Sequence, residues 1–364
     1  MESMNYQFAA IRGIQAEREY YVVMCPLKLI PKVFLFDEEE LPAELRAQRT
    51  LNQARIPDIA GYMVENPSEY VFSAITASID GDVHFIPEGA EGYKRDIGML
   101  HVPMQSSFII NDGQHRRAAI EAAIKENPEL GDETISVVLF IDAGLGRCQQ
   151  MFADLNKHAV RPTKSLSILY DHRDEMAALA VELANTVPVF KGLTEMEKTT
   201  ISHRSTSLFT LNAIFLATRA FLQKQKNDEI AEEEASLAHK FWVRMGEIIP
   251  EWRLIIRRKI SASELRKNYV HSHGVVLQAL GEAGSELVKL YPDTWEQHLQ
   301  CLEEIDWRRA NTELWEGRAM RRGKMSKAHD NLALTVNAIK MALNLPLNEK
   351  QNELEAHLEN EATV

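Results

Sequence analysis

The sequence predicts an α+β N-terminal domain followed by an all-helical domain. Up to about residue 165, short β-branched and aromatic runs alternate with helical spacings, whereas beyond Ser165 apolar residues recur almost throughout at a helical period. At 364 residues, with 45% hydrophobic and 26% charged residues, the chain is long and apolar enough to bury a core in each half.

Residues 20–24 form a compact apolar run closed by Cys25-Pro26, and residues 33–36 form another, closed by the acids at 37–40. Both read as strands. Residues 45–64 carry Leu51, Ile56, Ile59, Ala60 and Met63 at helical spacing with Pro57 among them, so a helix pair or one helix starting near Pro57 is expected, ended by Asn66-Pro67. Residues 70–79 are rich in β-branched and aromatic side chains, and Asp80-Gly81 leads into residues 83–86, which predicts a hairpin. A short strand at 108–110, a helix at 114–125, a buried strand at 134–141 and a helix at 146–156 with Cys148, Met151, Phe152 and Leu155 on one face complete a domain spanning 1–165.

The helical domain, 166–348, has periodic segments at 176–185, 209–225, 232–249, 263–290 and 332–343. Ser205 or Ser207 is a candidate N-cap for the second of these. Residues 224–234 are a charged connector, and the acidic tail, 349–364, is expected to be disordered.

Lys and Arg number 41 against 53 Asp and Glu, a net charge of −12. Bulk charge therefore does not coat nucleic acid, and any DNA contact needs a local basic patch. Cys25, Cys148 and Cys301 are far apart and form no CxxC pair, which argues for a reducing, cytoplasmic setting without a zinc knuckle. There is no apolar leader and no run long enough to span a bilayer, so no membrane partner is expected. P-loop, HExxH and GxSxG motifs are absent, and His271-Ser272-His273 supplies at most two metal ligands; no metal site and no catalytic residue is assigned.

The segment Phe108-Ile109-Ile110-Asn111-Asp112-Gly113-Gln114-His115-Arg116-Arg117 runs a strand through Asp112-Gly113 directly into a helix. Free amides at the helix start attract anions, yet two arginines stand in the first turn, against the positive end of the helix dipole. Something negative must compensate. In one reading Asp112 caps the helix and pairs with Arg116 while Arg117 pairs with Glu121. In the other, Gly113, His115, Arg116 and Arg117 cradle a phosphate from a nucleotide or DNA. Asp112, Asp142 and Asp154 are candidates to hold Mg²⁺ beside that phosphate, though Asp142, before a turn, and Asp154, on a helix, also fit ordinary solvent positions.

Asp112-Gly113-Gln114-His115-Arg116 spells DGQHR, and with Phe152-Ala153-Asp154-Leu155-Asn156-Lys157 behind it the chain resembles the DndB family, the DGQHR-domain proteins of bacterial DNA phosphorothioation systems. The resemblance is closest over roughly residues 45–165. It implies a ParB/sulfiredoxin-like fold for the N-terminal domain, in which a Gly-Arg-Arg segment at a helix start binds nucleotide phosphates. Asp112, Gly113, Gln114, His115, Arg116, Arg117, Asn156 and Lys157 are then the phosphate or nucleotide-binding candidates. It further implies a cytoplasmic repressor that binds the promoter of the modification genes and limits sulfur incorporation. No cofactor is required for that role; ATP or another nucleotide with Mg²⁺ would accompany an alternative ATPase or DNA-nicking activity, and a scaffold for other phosphorothioation proteins is a third class.

Between residues 306 and 327 lie seven cations, Arg308, Arg309, Arg318, Arg321, Arg322, Lys324 and Lys327, against three acids, with Trp307 and Trp315 interleaved. Arg253, Arg257, Arg258, Lys259, Arg266 and Lys267 form a second cluster, and Arg204 a lone candidate beside His203. Either cluster can neutralise double-stranded DNA phosphates. The competing reading makes the tryptophans core anchors and pairs the cations with acids. A symmetric operator would imply a homodimer.

Overall fold

The computed structural model describes residues 4–34, 53–141, 150–151, 154–155, 162–225 and 228–362, without the side chains of 359, 361 and 362. The chain divides into two compact units, Met1–Val160 and Arg161–Val364.

Unit 1 is built on a seven-stranded mixed sheet. The strands are β1 (Asn5–Gln15), β2 (Arg18–Pro26), β3 (Ile75–Asp80), β4 (His84–Pro87), β5 (Ile97–Pro103), β6 (Ser107–Asp112) and β7 (Thr134–Ile141), in the order β4-β5-β1-β2-β7-β3-β6. Only the β3–β7 pair is parallel. Alternation along β5 and β7 turns Leu100, Val102, Ile135, Val137 and Leu139 inward. Helices α1 (Ile30–Val33), α2 (Ile56–Glu65) and α3 (Gln114–Glu126) complete this core, α2 and α3 supplying Ala60, Met63, Ala119, Ile120 and Ala123. Each such fully buried large apolar side chain contributes about 1.5–3 kcal/mol.

Two expectations are corrected here, and one alternative is decided. Residues 33–36 are not a strand as far as they are described, because Ile30, Val33 and Phe34 bury at helical spacing behind Pro31 and close α1. Of the two alternatives at 45–64, one helix starting near Pro57 is found: α2 begins at Ile56, directly after a 3-10 turn at Gln53–Arg55. Asp80-Gly81 does not close a hairpin: β3 is occupied on both edges by β6 and β7, and β4 pairs with β5 at the far side of the sheet. Gly81 instead packs against Ser106, where a Cβ would collide with the hydroxyl.

Unit 2 is helical except for two small two-stranded sheets. Its helices are α4 (Lys164–Tyr170), α5 (Glu175–Thr186), α6 (Leu211–Leu222), α7 (Glu232–Ile248), α8 (Pro250–Ile256), α9 (Ala262–Asn268), α10 (Gly274–Leu290), α11 (Trp295–His298), α12 (Thr312–Trp315), α13 (His329–Ala342) and α14 (Glu349–Ala362). The small sheets are β8 (Thr194–Glu195) with β9 (Phe209–Thr210), and β10 (Met320–Arg321) with β11 (Lys324–Met325). Trp242, Trp252, Trp307 and Trp315 are fully buried, and α10 runs through the middle of the core. The expected helix at 263–290 is broken at residues 269–273. There the imidazole of the fully buried His271 accepts from Trp252 Nε1 at 3.0 Å and meets Glu251 at 3.2 Å. The N-cap of α6 is Thr210, not Ser205 or Ser207; its hydroxyl accepts from the Ala213 amide at 3.2 Å. The acidic tail is a helix, α14, because Glu355 is drawn into a buried ion pair with Arg318 and Gln351 accepts from Lys340 at 2.8 Å.

Candidate nucleic-acid interface

Strand β6 delivers Asp112 to the mouth of α3, and Gly113 makes the turn with φ +108°, a conformation that disfavours any side chain. The Arg116 guanidinium folds back over this turn. Its Nη2 donates to Asp112 Oδ2 at 2.6 Å and to the Ala74 carbonyl at 3.2 Å, and Nη1 donates to Ser73 Oγ. Arg117 donates from Nε to the Phe34 carbonyl at 2.9 Å, from Nη2 to the Pro31 carbonyl at 3.2 Å and from Nη1 to Glu121 at 2.6 Å. Glu121 is held below the usual carboxylate range by its bond from Lys125 and by Arg117. The negative charge that these first-turn arginines call for thus comes from Asp112 and Glu121. The turn braces β3, β6 and α1 to α3. Asp112 does not cap the helix, since the N-cap residue is Gly113 with no side-chain bond.

Gln114 is buried, donating to the Ile110 carbonyl at 3.5 Å. Burial, then Arg55 and Arg116, lower the pKa of His115. Asn156, Lys157, Asp142 and Cys148 lie outside the described residues, as does most of the helix expected at 146–156; Asp154 accepts from Gln150 at 2.7 Å.

The basic segments of unit 2 divide by partner. Arg318 is withdrawn from any surface role by its pair with Glu355, at 13% and 11% exposure. Arg308 is exposed but forks onto Asp306 at 2.8 and 2.7 Å, which depresses the Asp306 carboxyl. Trp307 and Trp315 stack at 5.4 Å inside the core, so neither aromatic face is open to a base. Arg253 pairs with Glu303 at 2.6 Å. Arg321, Arg322 and Lys324 are exposed on the β10–β11 hairpin, whose turn at Arg322 (φ +51°) and Gly323 (φ +69°) is pinned by Glu316 accepting both amides. Arg257, Arg258 and Lys259 are exposed where α8 ends; Arg258 and Lys259 share a second cleft with Arg204 and Glu264.

The two basic clusters, separate in sequence, meet in a cleft of about 720 Å³ in unit 2. Arg266 and Lys267 come from the end of α9, Arg309 from the loop after the buried Trp307, Lys327 from the strand exit after β11, and Gly274 and Val275 from the start of α10. No Asp or Glu lines it among the described residues, and none of the four cations has a carboxylate within ion-pair distance there. The arginines are fixed by carbonyls rather than neutralised. Arg266 donates to the carbonyls of Ser202, His203, Ser205 and Ser207. Arg309 Nη2 donates to the Gly323 carbonyl at 2.9 Å, which ties the hairpin tip to the cleft. His273 meets the Arg266 carbonyl at 2.9 Å, and burial holds its pKa down to about 4, so it is neutral and adds no charge at pH 7.

Sequence reasoning placed Arg309 and Lys327 in one basic segment and Arg266 and Lys267 in another, and overlooked Gly274. The readable signal was a glycine opening an otherwise apolar helix directly after His271-Ser272-His273.

The chain thus comprises a mixed α+β unit and a helical unit, the latter with a cleft lined by four cations and, among the described residues, by no acid. The family model for DndB, described as DNA-sulfur modification-associated, matches residues 8–346, and the chain belongs to that family. The match covers both units, well beyond the DGQHR segment. No curated protein and no solved structure matches the chain.

Proposed function

We propose that this chain is a DNA-binding transcriptional regulator, a cytoplasmic repressor of DNA phosphorothioate modification genes that limits sulfur modification. Its partners are the double-stranded promoter DNA of those genes, a second copy of itself on a symmetric operator and other phosphorothioation proteins. Membership of a DNA-sulfur modification family supports the setting, and among the described residues no helix is long and apolar enough to cross a membrane. One observation carries the DNA-binding role: Lys267, Arg309, Lys327 and the hairpin's Arg321, Arg322 and Lys324 stand together without carboxylate partners in a chain of net charge −12. An acidic protein that keeps a surface rich in unpaired cations concentrates its attraction for phosphates there.

A gel-shift titration of the operon's upstream DNA at several salt concentrations tests this. Each phosphate contact contributes about 0.9 to the salt slope, so Arg321→Ala/Arg322→Ala should lower affinity and flatten the slope by up to about 2. Unchanged affinity and slope would remove the hairpin from the interface.

The second reading places ATP or another nucleotide with Mg²⁺ at the DGQHR turn of a ParB-like domain. The positive φ of Gly113 at a helix start favours it. A phosphate there would take the place of Asp112 on Arg116. Phosphate release or plasmid nicking that requires Mg²⁺ and is lost in Arg116→Ala would support it, and activity surviving that change would detach the chemistry from the turn.

A further inference from the structure

Helix α10 starts within the cationic cleft, and its first turn is electrostatically one-sided. It has no acidic residue and no side-chain cap, and the amides of Gly274 and Val275 donate to no described residue. The N-cap imidazole of His273 is engaged with the Arg266 carbonyl instead. Into this positive end projects a cation: a Cβ at position 274 would lie 3.2 Å from Lys327 Nζ and 3.2 Å from Ala213 Cβ. Glycine is therefore what lets the ammonium approach the amides. Arg309 is held in the same cleft by carbonyls, charged and already oriented, and the exposed Lys267 lies beside it. Ammonium, guanidinium and helix dipole repel one another and attract the same guest.

We propose that the cleft is a phosphate site, in which one phosphate group sits against the start of α10, bound by the amides of Gly274 and Val275 and by Lys267, Arg309 and Lys327. The inference rests on the DNA-binding reading for its source, a backbone phosphate of duplex DNA; a free phosphate or nucleotide offers the same chemistry. A tetrahedral dianion or a diester phosphate matches two amides and three cations in kind, and the carbonyl-anchored arginine loses little freedom on binding.

Lys267→Met/Lys327→Met tests the site in the full chain, since both side chains are exposed and neither supports the core. Gly274→Ala tests it independently by setting a methyl against Lys327 Nζ. The probes are a promoter duplex followed by fluorescence anisotropy across salt concentrations, and inorganic pyrophosphate followed by titration calorimetry. The double variant is expected to bind the duplex at least tenfold more weakly at low salt, with a slope flattened by about 2. Gly274→Ala should fall between it and the wild type, and both variants should lose the pyrophosphate heat. Loss of pyrophosphate binding with duplex affinity intact would retain the site and make a free phosphate its source. A wild type that binds pyrophosphate but no DNA would overturn the DNA-binding reading and leave the site standing. Variants that match the wild type on both probes, while the wild type binds DNA, would overturn the site and leave that reading standing.

Discussion

Two helix starts in this molecule gather arginine and lysine against the positive end of a helix, and they resolve the conflict in opposite ways. At α3, Arg116 and Arg117 turn onto Asp112, Glu121 and four oxygen atoms of the backbone and Ser73, so the charge is spent within the fold. At α10, Arg309, Lys267 and Lys327 meet carbonyls or solvent but no carboxylate among the described residues. A conspicuous motif can thus be a brace, and an inconspicuous helix start can be the place that stays positive. The first start braces the fold and the second is the one proposed to bind an anion, and each half of that contrast can be broken.

The largest expected effect is on stability at acid pH. His273, half-buried in the wall of the cleft, has its folded pKa depressed from 6.5 to about 4, chiefly by desolvation, and full burial depresses that of His271 too. The unfolded chain therefore binds more protons than the folded one between those values, so stability is full above about pH 6.5 and falls as pH drops toward 4. His273 alone should cost roughly 3 kcal/mol over that window. Chemical denaturation at pH 7 and pH 4.5 measures it, and His273→Gln should reduce the difference. A flat profile would show that the imidazole titrates normally and adds its own charge to the cleft.

Next comes the brace. Arg117→Met strips the Phe34 and Pro31 carbonyls and Glu121 of their donor and should lower stability by about 2 kcal/mol, discounted because Glu121 is 34% exposed. Duplex affinity per folded molecule should not change. Thermal melts paired with anisotropy decide the point: intact melting with lost DNA binding would move the anion site to the DGQHR turn. Gly113→Ala should be milder, about 1–2 kcal/mol, since it forces an L side chain to φ +108° and within 3.1 Å of the Arg116 guanidinium. Smallest is Arg308→Ala. Its solvent-screened fork onto Asp306 should leave the melting temperature almost unchanged when broken, and its effect on DNA binding should be well below that of Lys327.

What could be read in advance followed from locality. The strand at 134–141, the helix behind Gly113 and the Arg116–Asp112 and Arg117–Glu121 pairs involve neighbours within one turn or one pleat, where periodicity and i,i+4 spacing decide. The DGQHR segment gave the family for the same reason. The failures are long-range. Nothing near Asp80-Gly81 reveals that β3 will be flanked on both edges, and Arg318 cannot be separated from its basic neighbours without knowing that Glu355, 37 residues on, will be buried against it. The cleft was visible only as two unrelated basic clusters, because α10 and the loops around Trp307 intervene between Lys267 and Lys327. The tail looked disordered because its charge pattern dominates its few apolar residues until α13 provides a surface.

The most direct test sets the two helix starts against each other in one experiment: the salt dependence of promoter-duplex affinity for Lys267→Met/Lys327→Met and for Arg117→Met, each at a temperature where the variant is folded. The cationic cleft of unit 2 predicts a flatter slope and weaker binding for the lysine variant and an unaltered slope for the arginine variant. The reverse pattern, with full affinity kept when both lysines are gone and lost when Arg117 is replaced, would contradict the account.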